Sequence, residues 1–285
     1  MNPVTELRVG SLRTVVRPAG PQDEREAVVF VHGNPGPSQD WTGLLTAVGE
    51  FGRAVAWNQP GFGRADKPAG FEHTVTGHAA FIEAALDALG IDRVHLVLHD
   101  FGGPWGLEWA ATHPDRVASL VLINTGVLRD YRWHLMARIW QTPLLGELFN
   151  ALSTRSAFQA TLRRTDPRLP ADFVDRLHAV SGDPATKRAV LRLYRASRQR
   201  LIDDWAARTA DLLRPLDLPA LVVWGAKDAF IPVEQAHRQR DVFPRAEVEI
   251  LPDSGHWPFA DDPAAVERVV AAFLRRETRI GDLSP

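Results

Sequence analysis

The chain has 285 residues, of which 45% are hydrophobic and 24% are charged, and its formal net charge at pH 7 is −2. This composition is that of an ordinary globular protein, with no basic field for nucleic acid and no apolar run near the ~18–20 residues that cross a bilayer. The absence of cysteine excludes disulfides, zinc–thiolate sites and a cysteine nucleophile.

These features favour a cytoplasmic protein that does not bind nucleic acid or a membrane. Residues 1–20 lack the apolar segment of a signal peptide, and the histidines are not clustered at the spacing of metal ligands. We expect no metal and no cofactor. The expected partners are a small apolar organic substrate and water, and the expected state is a monomer or a homodimer.

Short apolar runs alternate with helical patterns along the first part of the chain. The apolar runs predict buried strands at 27–31 (AVVFV), 53–57 (RAVAW), 94–98 (VHLVL) and 118–123 (ASLVLI). Apolar residues at helical spacing predict helices at 76–89 and 104–112. Strands that alternate with helices favour a parallel sheet built from βαβ units.

The pattern changes after residue 125, where the sequence becomes helical and strand-free until about residue 215. Alternation then resumes, with strands predicted at 219–224 and 246–251 and helices at 233–242 and 263–276. The sequence therefore predicts a core formed by 1–125 and 216–285, with a helical cap, 126–215, inserted after the sixth strand. Such a cap would lie over the carboxyl ends of the strands, where open α/β sheets bind ligands.

Three residues that suit nucleophilic catalysis each follow a predicted strand. Asp100 lies in LVLHDFGG, Asp228 follows LVVWGAK, and His256 lies in LPDSGHW. These residues follow the chain order of a known catalytic pattern: a nucleophile, then an acid, then a histidine. In that pattern the nucleophile lies on a sharp turn between a strand and a helix, with small residues after it. His256 is then the base, and Asp228 fixes its tautomer. The position after the sixth strand holds Asn124, which carries no charge, so Asp228 is the better acid.

A fourth motif, HGNPG at 32–36, follows the first buried strand of the alternating pattern. Its backbone is expected to place the N–H of Asn34 beside that of Phe101 as an oxyanion hole. The order and spacing of the four motifs resemble the α/β-hydrolase fold superfamily over residues 5–125 and 216–278. The resemblance implies an α/β fold with a doubly wound, mostly parallel sheet and a helical cap after strand 6.

An aspartate at the nucleophile position predicts a particular chemistry. A carboxylate with a pKa of about 4 needs no base to ionise it, and it displaces a leaving group at saturated carbon to leave an alkyl ester on Asp100. Water activated by His256 would then attack the ester carbonyl, and the N–H groups of Phe101 and Asn34 would stabilise the oxyanion. Within the superfamily, this aspartate resembles epoxide hydrolases and haloalkane dehalogenases.

The two groups differ in how they treat the leaving group. An epoxide oxygen needs a proton donor, and the two tyrosines of the chain, Tyr131 and Tyr194, both lie in the predicted cap. Tyr194 suits the second cap tyrosine of epoxide hydrolases, whereas Tyr131 matches the first one poorly, so His134, Trp140 or His178 could replace it. Dehalogenases usually carry Trp after the nucleophile, where this chain has Phe101, which lacks a ring N–H.

The leading hypothesis is an epoxide hydrolase that opens an apolar epoxide to a diol through an ester on Asp100. A haloalkane or haloacid dehalogenase is the alternative, because Leu98 and Asn34 match the dehalogenase pattern. The opening of a strained lactone is a related reaction, and a non-catalytic hydrolase-like binding protein is a minor alternative. An apolar substrate pocket is expected to be lined by Trp105, Trp140 and Trp257.

Overall fold

The computed structural model describes residues 2–278, and eight strands within this range form one sheet. They are β1 (Thr5–Val9), β2 (Leu12–Ala19), β3 (Glu26–Val31), β4 (Ala54–Trp57), β5 (Arg93–His99), β6 (Val117–Ile123), β7 (Ala220–Gly225) and β8 (Glu247–Leu251). Their spatial order is β1-β2-β4-β3-β5-β6-β7-β8. Strand β2 pairs antiparallel with β1 and β4, and β3 to β8 run parallel.

The helices alternate with the strands in the core and follow one another in the cap. They are α1 (Thr42–Gly49), α2 (Val75–Ala88), α3 (Gly102–Thr112), α4 (Leu135–Gln141), α5 (Leu145–Leu152), α6 (Arg155–Thr165), α7 (Ala171–Ser181), α8 (Pro184–Ala196), α9 (Gln199–Leu213), α10 (Glu234–Arg238), α11 (Pro258–Asp261) and α12 (Pro263–Glu277). Within residues 2–278, no helix combines the length and apolarity needed to cross a membrane.

The central strands are apolar on both sides, and helices cover both faces of the sheet. In β3, Val29 and Val31 belong to one hydrophobic cluster, and Val28 and Phe30 belong to a second one, because successive side chains point to opposite faces. Helices α2 and α3 contribute to the first cluster, and α1 and α12 to the second. This arrangement explains why the buried strands read as continuous apolar runs.

The predicted doubly wound sheet and the cap after the sixth strand are both confirmed: helices α4 to α9 lie between β6 and β7. The hairpin β1–β2 is an addition to the predicted strands. The cap is fixed to the core partly through α9, where the indole of Trp205 donates to Glu108 on α3 at 2.9 Å. Arg208 of α9 binds the same carboxylate at 2.5 Å.

Candidate active site

Asp100 occupies the sharp turn between β5 and α3. Its φ of +50° lies in the left-handed region, which non-glycine residues rarely adopt. The hydroxyl of Thr125 donates to the Asp100 carbonyl at 2.6 Å and helps to hold this conformation. A Cβ at Gly102 or Gly103 would overlap the Val31 carbonyl or the Thr125 hydroxyl, so only glycine lets α3 begin this close to the sheet.

The structure brings the three predicted catalytic side chains together at the carboxyl ends of their strands. His256 Nδ1 lies 2.8 Å from Asp228 Oδ2, and His256 Nε2 lies 3.5 Å from Asp100 Oδ2. Burial opposes a charged histidine, but the carboxylates of Asp228 and Asp100 raise the pKa of His256 to about 10. The resting site therefore holds an imidazolium between two carboxylates.

Asp228 is held in its ionised form by several donors. Asn124 Nδ2 donates to its Oδ2 at 2.7 Å, and the backbone N–H groups of Phe230 and Ile231 donate to its Oδ1 at 2.7 and 3.0 Å. Burial alone would raise the pKa of Asp228, but His256 and these donors lower it below its ordinary value. Asn124 is thus not the acid, as its lack of charge predicts, but a hydrogen-bond donor to the candidate acid Asp228.

The nucleophile candidate is ionised as well. Burial opposes this charge, yet the hydrogen bond and the charge of His256 keep the pKa of Asp100 below its ordinary value. The backbone N–H of Asn34 donates to Asp100 Oδ1 at 2.6 Å. A Cβ at Gly33 would overlap Asp100 Oδ1 and come within 2.6 Å of the Phe101 nitrogen, so glycine leaves room for a carboxylate beside both predicted oxyanion-hole residues.

A cavity of about 550 Å³ extends from Asp100 beneath the cap and is lined mainly by apolar side chains. Trp140 and Trp257 line it, as the sequence analysis expects. Trp105 does not, which corrects its expected place. It is fully buried and stacks on the ring of His78 at a centroid distance of 3.9 Å, in the core beneath the turn.

Both tyrosines line the cavity, but their hydroxyl groups have different partners. Tyr194 is 3% exposed, and its oxygen accepts a hydrogen bond from Asn34 Nδ2 at 3.4 Å. Tyr131 donates its own proton to the Phe230 carbonyl at 3.1 Å. Burial raises the pKa of both phenols, so both remain protonated at neutral pH. Within residues 2–278 the Tyr194 hydroxyl acts only as an acceptor, so of the two phenols it is the one whose proton is available to a ligand.

Two neighbouring cap residues, Trp133 and His134, also line the cavity, and His134 is one of the cap donors that the sequence offers in place of Tyr131. The indole of Trp133 stacks on Phe101 at 5.8 Å and meets Tyr194 edge-on at 5.5 Å. Its Nε1 is buried and has no hydrogen-bond partner among residues 2–278. His134 lines the same cavity and caps α4, since its Nδ1 accepts from the backbone N–H of Ala137 at 3.2 Å. Their position depends on how the cap folds back over the turn, which local sequence patterns do not encode.

The remaining aromatic and histidine candidates also have defined places. His178, which lies in α7, also lines the cavity. Burial lowers the pKa of His134 to about 4, so this ring is neutral, and its accepting Nδ1 leaves the proton on Nε2. The site thus offers hydroxyl, indole and imidazole donors to a ligand bound at Asp100.

The chain is similar in sequence and in fold to known proteins. The cis-3-alkyl-4-alkyloxetan-2-one decarboxylase of Shewanella oneidensis is 29% identical over 280 residues, which cover 93% of this chain and 87% of the relative. The structure of haloalkane dehalogenase DbeA from Bradyrhizobium elkani USDA94 superposes with a TM-score of 0.83 at 22% identity, covering 99% of each chain. The epoxide hydrolase CorEH superposes with a TM-score of 0.79 at 19% identity, covering 96% of this chain and 99% of that one.

The two structural likenesses establish the fold alone, since their sequence identities are low. The model of the alpha/beta hydrolase fold family matches residues 26–263, which span the sheet from β3 onward, the cap and the residues of the site. The chain therefore belongs to the alpha/beta hydrolase fold family.

Proposed function

We propose that this protein hydrolyses an apolar epoxide to a diol through an alkyl ester on Asp100. The observation that carries the proposal is the position of Asn34 between the nucleophile and a phenol. Its backbone N–H donates to Asp100 Oδ1 at 2.6 Å, and its side chain donates to the Tyr194 oxygen at 3.4 Å. A three-membered ring bound beside Asn34 would meet a carboxylate for its carbon and a hydroxyl for its oxygen.

In the first step, an oxygen of Asp100 forms a bond to a ring carbon and the carbon–oxygen bond of the epoxide breaks. The electron pair goes to the ring oxygen, which takes the proton of Tyr194. Asp100 is now a neutral ester, so one of the two charges that raise the pKa of His256 is lost. His256 therefore gives up its proton, which restores the Tyr194 hydroxyl.

In the second step, neutral His256 takes a proton from water, and the oxygen of that water attacks the carbonyl carbon of the Asp100 ester. The oxyanion that forms is stabilised by the backbone N–H groups of Asn34 and Phe101. The bond between the carbonyl carbon and the alkyl oxygen then breaks, and the alkyl oxygen takes the second proton of the attacking water. The diol leaves, and Asp100 is again a carboxylate. His256 ends the cycle protonated, as in the resting site.

Trapping of the ester tests the proposal. His256→Gln protein is incubated with a styrene-type epoxide and its intact mass is measured, with Asp100→Asn/His256→Gln as the matched control. We expect an added mass equal to that of the epoxide, located on Asp100 and absent from the control. No adduct with any epoxide, together with an alkyl adduct and halide release from a haloalkane, would contradict it.

Dehalogenation is a second candidate, and Trp133 favours it. A departing halide accepts hydrogen bonds from weak N–H donors. The indole of Trp133, whose N–H has no partner within residues 2–278, packs edge-on against Tyr194, whose hydroxyl accepts from Asn34 Nδ2. In this reaction Asp100 displaces the halide, and the ester is hydrolysed as before. The same trapping experiment includes 1-bromobutane and an assay for bromide.

A four-membered oxygen ring belongs in the same experiment. The name of the Shewanella oneidensis relative describes a substrate of this kind, an alkyl-substituted oxetanone. Such a ring is strained like an epoxide, and its oxygen also stays attached to the carbon skeleton when the ring opens. An adduct formed with a β-lactone but with no epoxide would redirect the proposal to that substrate while retaining Asp100 as nucleophile.

A further inference from the structure

Asp166 is a cap residue that binds the backbone of the candidate catalytic histidine. It follows the last turn of α6, and 3% of its surface is exposed. Its Oδ1 accepts a hydrogen bond from the backbone N–H of His256 at 2.8 Å. Burial raises the pKa of this carboxyl, and the hydrogen bond from the His256 amide only partly opposes the shift. A buried carboxylate is costly to retain, which calls for a role beyond packing.

The loop that carries His256 is held from the core side as well. Asp261 Oδ2 accepts from the backbone N–H of Gly255 at 2.7 Å, and the ring of His99 donates to the His256 carbonyl at 2.8 Å. Core side chains therefore fix one end of this short loop, and Asp166 fixes the amide of His256 from the cap. With Asp228 bound to the ring, the backbone and the side chain of His256 are both held.

The sequence of the loop makes space for the cap carboxylate. A Cβ on Gly255 would overlap Asp166 Oδ1, so a larger residue there would displace the cap aspartate from the amide of His256. Glycine at this position therefore serves the contact between cap and core. The contact thus depends on a residue from each side, Gly255 in the core and Asp166 in the cap.

We propose that Asp166 is a positioning residue that aligns His256 between Asp100 and Asp228 only while the cap is seated on the core. This inference rests on the proposed function, in which His256 acts in hydrolysis of the ester and not in its formation. A displacement of a catalytic group by about 1 Å can lower a rate by about 100-fold. Loss of the Asp166 contact should therefore slow the second step and leave the first one nearly unchanged.

The first test compares Asp166→Ala, Asp166→Asn and Asp253→Ala. Asparagine retains an acceptor for the His256 amide, and Asp253 is an exposed residue of the same loop that pairs with Lys227. With a substrate that gives the trapped ester, we expect Asp166→Ala to lower kcat by about 10- to 100-fold. KM should fall with kcat, and intact mass should show ester accumulating during turnover.

The two other variants distinguish positioning from charge and from general damage. Asp166→Asn should keep kcat within about 3-fold of wild type, because a neutral acceptor forms a somewhat weaker hydrogen bond than a charged one. Asp253→Ala should behave as wild type. An Asp166→Ala enzyme that turns over without ester accumulation would overturn the proposal, as would equal losses in Asp166→Asn and Asp166→Ala.

The second test does not depend on the reaction. Amide hydrogen exchange of the segment 252–260 should be faster in Asp166→Ala than in wild type or Asp253→Ala, and should stay slow in Asp166→Asn. Gly255→Ala displaces the Asp166 carboxylate from the core side and should show the same fast exchange. It replaces Asp166→Ala in the test if Asp166→Ala folds poorly. If His256→Gln traps no ester, the proposed function fails by itself. Unchanged exchange in both Asp166→Ala and Gly255→Ala refutes the positioning role.

Discussion

The ring of His99 donates a hydrogen bond to the backbone carbonyl of His256 at 2.8 Å. Because His99 directly precedes Asp100, this bond joins the turn of the proposed nucleophile to the loop of the proposed base. Burial lowers the pKa of His99 to about 3, so the ring is neutral and its Nε2 carries the proton that it donates. The bond therefore fixes the position of the Asp100 turn relative to the His256 loop.

Replacement of His99 should expose this dependence. His99→Phe keeps a buried ring but leaves the His256 carbonyl without its donor, which we expect to cost about 1–3 kcal/mol of stability. Urea unfolding measures this loss, and turnover should fall with it because the base is less well aligned. His99→Gln, which can restore a donor, serves as the control. A His99→Phe protein as stable and active as wild type would contradict the assignment.

The raised pKa of His256 predicts how stability varies with pH. A histidine has a pKa of about 6.5 when unfolded, and the folded value here is about 10. Between these values the folded protein binds more protons than the unfolded chain, so this group's contribution to stability is complete below the unfolded pKa and is lost as the pH rises toward 10. The free energy of unfolding should therefore decline from pH 7 to 10.

His256→Gln is the reference for this pH dependence, because it lacks the ionisable ring. We expect its free energy of unfolding, measured by urea titration at several pH values, to change less over that interval than that of wild type. Equal slopes in the two proteins would show that the folded pKa of His256 is not raised.

The two tyrosines should behave differently when their hydroxyl groups are removed. Tyr194→Phe deletes the phenol bound to Asn34 Nδ2, and we expect formation of the ester from an epoxide to slow by ~10-fold or more. Tyr131→Phe is the matched control, because the Tyr131 proton is donated to the Phe230 carbonyl. Single-turnover mass spectrometry measures the rate. Equal losses in the two variants would mean that both phenols, or neither, protonate the ring oxygen.

Trp105 should act on stability and not on substrate binding. It is fully buried in the core and does not line the cavity, so Trp105→Ala should lower the free energy of unfolding by about 3–5 kcal/mol. In protein that remains folded, KM should stay close to wild type. Trp140→Ala, which alters the cavity wall, should change KM with a smaller loss of stability. A changed KM without a large loss of stability in Trp105→Ala would show that Trp105 contacts the substrate.

Local sequence patterns predict those parts of the fold and the site that lie in or directly after buried strands. The buried strands of the parallel sheet are covered on both faces, so their apolar runs are visible, and Asp100, Asp228 and His256 each follow such a run. The edge strand β1 and its neighbour β2 are partly exposed and more polar, so no continuous apolar run in the sequence indicates them.

Local sequence patterns do not predict which side chains of the cap face the cavity. Trp105 and Trp140 are both tryptophans on helices, and only tertiary packing places one in the core and the other at the cavity. Trp133 and His134 line the same cavity as Asp100 because the chain folds back after β6, a long-range arrangement without a local pattern. Asp166 is an ordinary helix-end aspartate in the sequence, and its partner is ninety residues further along the chain.

The bonds of Glu108 to α9, together with the Asp166 contact, have a consequence for how this enzyme could change. The cap is held to the core at α9 and at the end of α6, whereas α5 carries neither contact. Leu145, Leu148 and Leu152 of α5 nevertheless line the cavity. Substitutions in this helix can therefore reshape the cavity without altering the contacts of Glu108 and Asp166, which makes α5 the preferred segment for diversification.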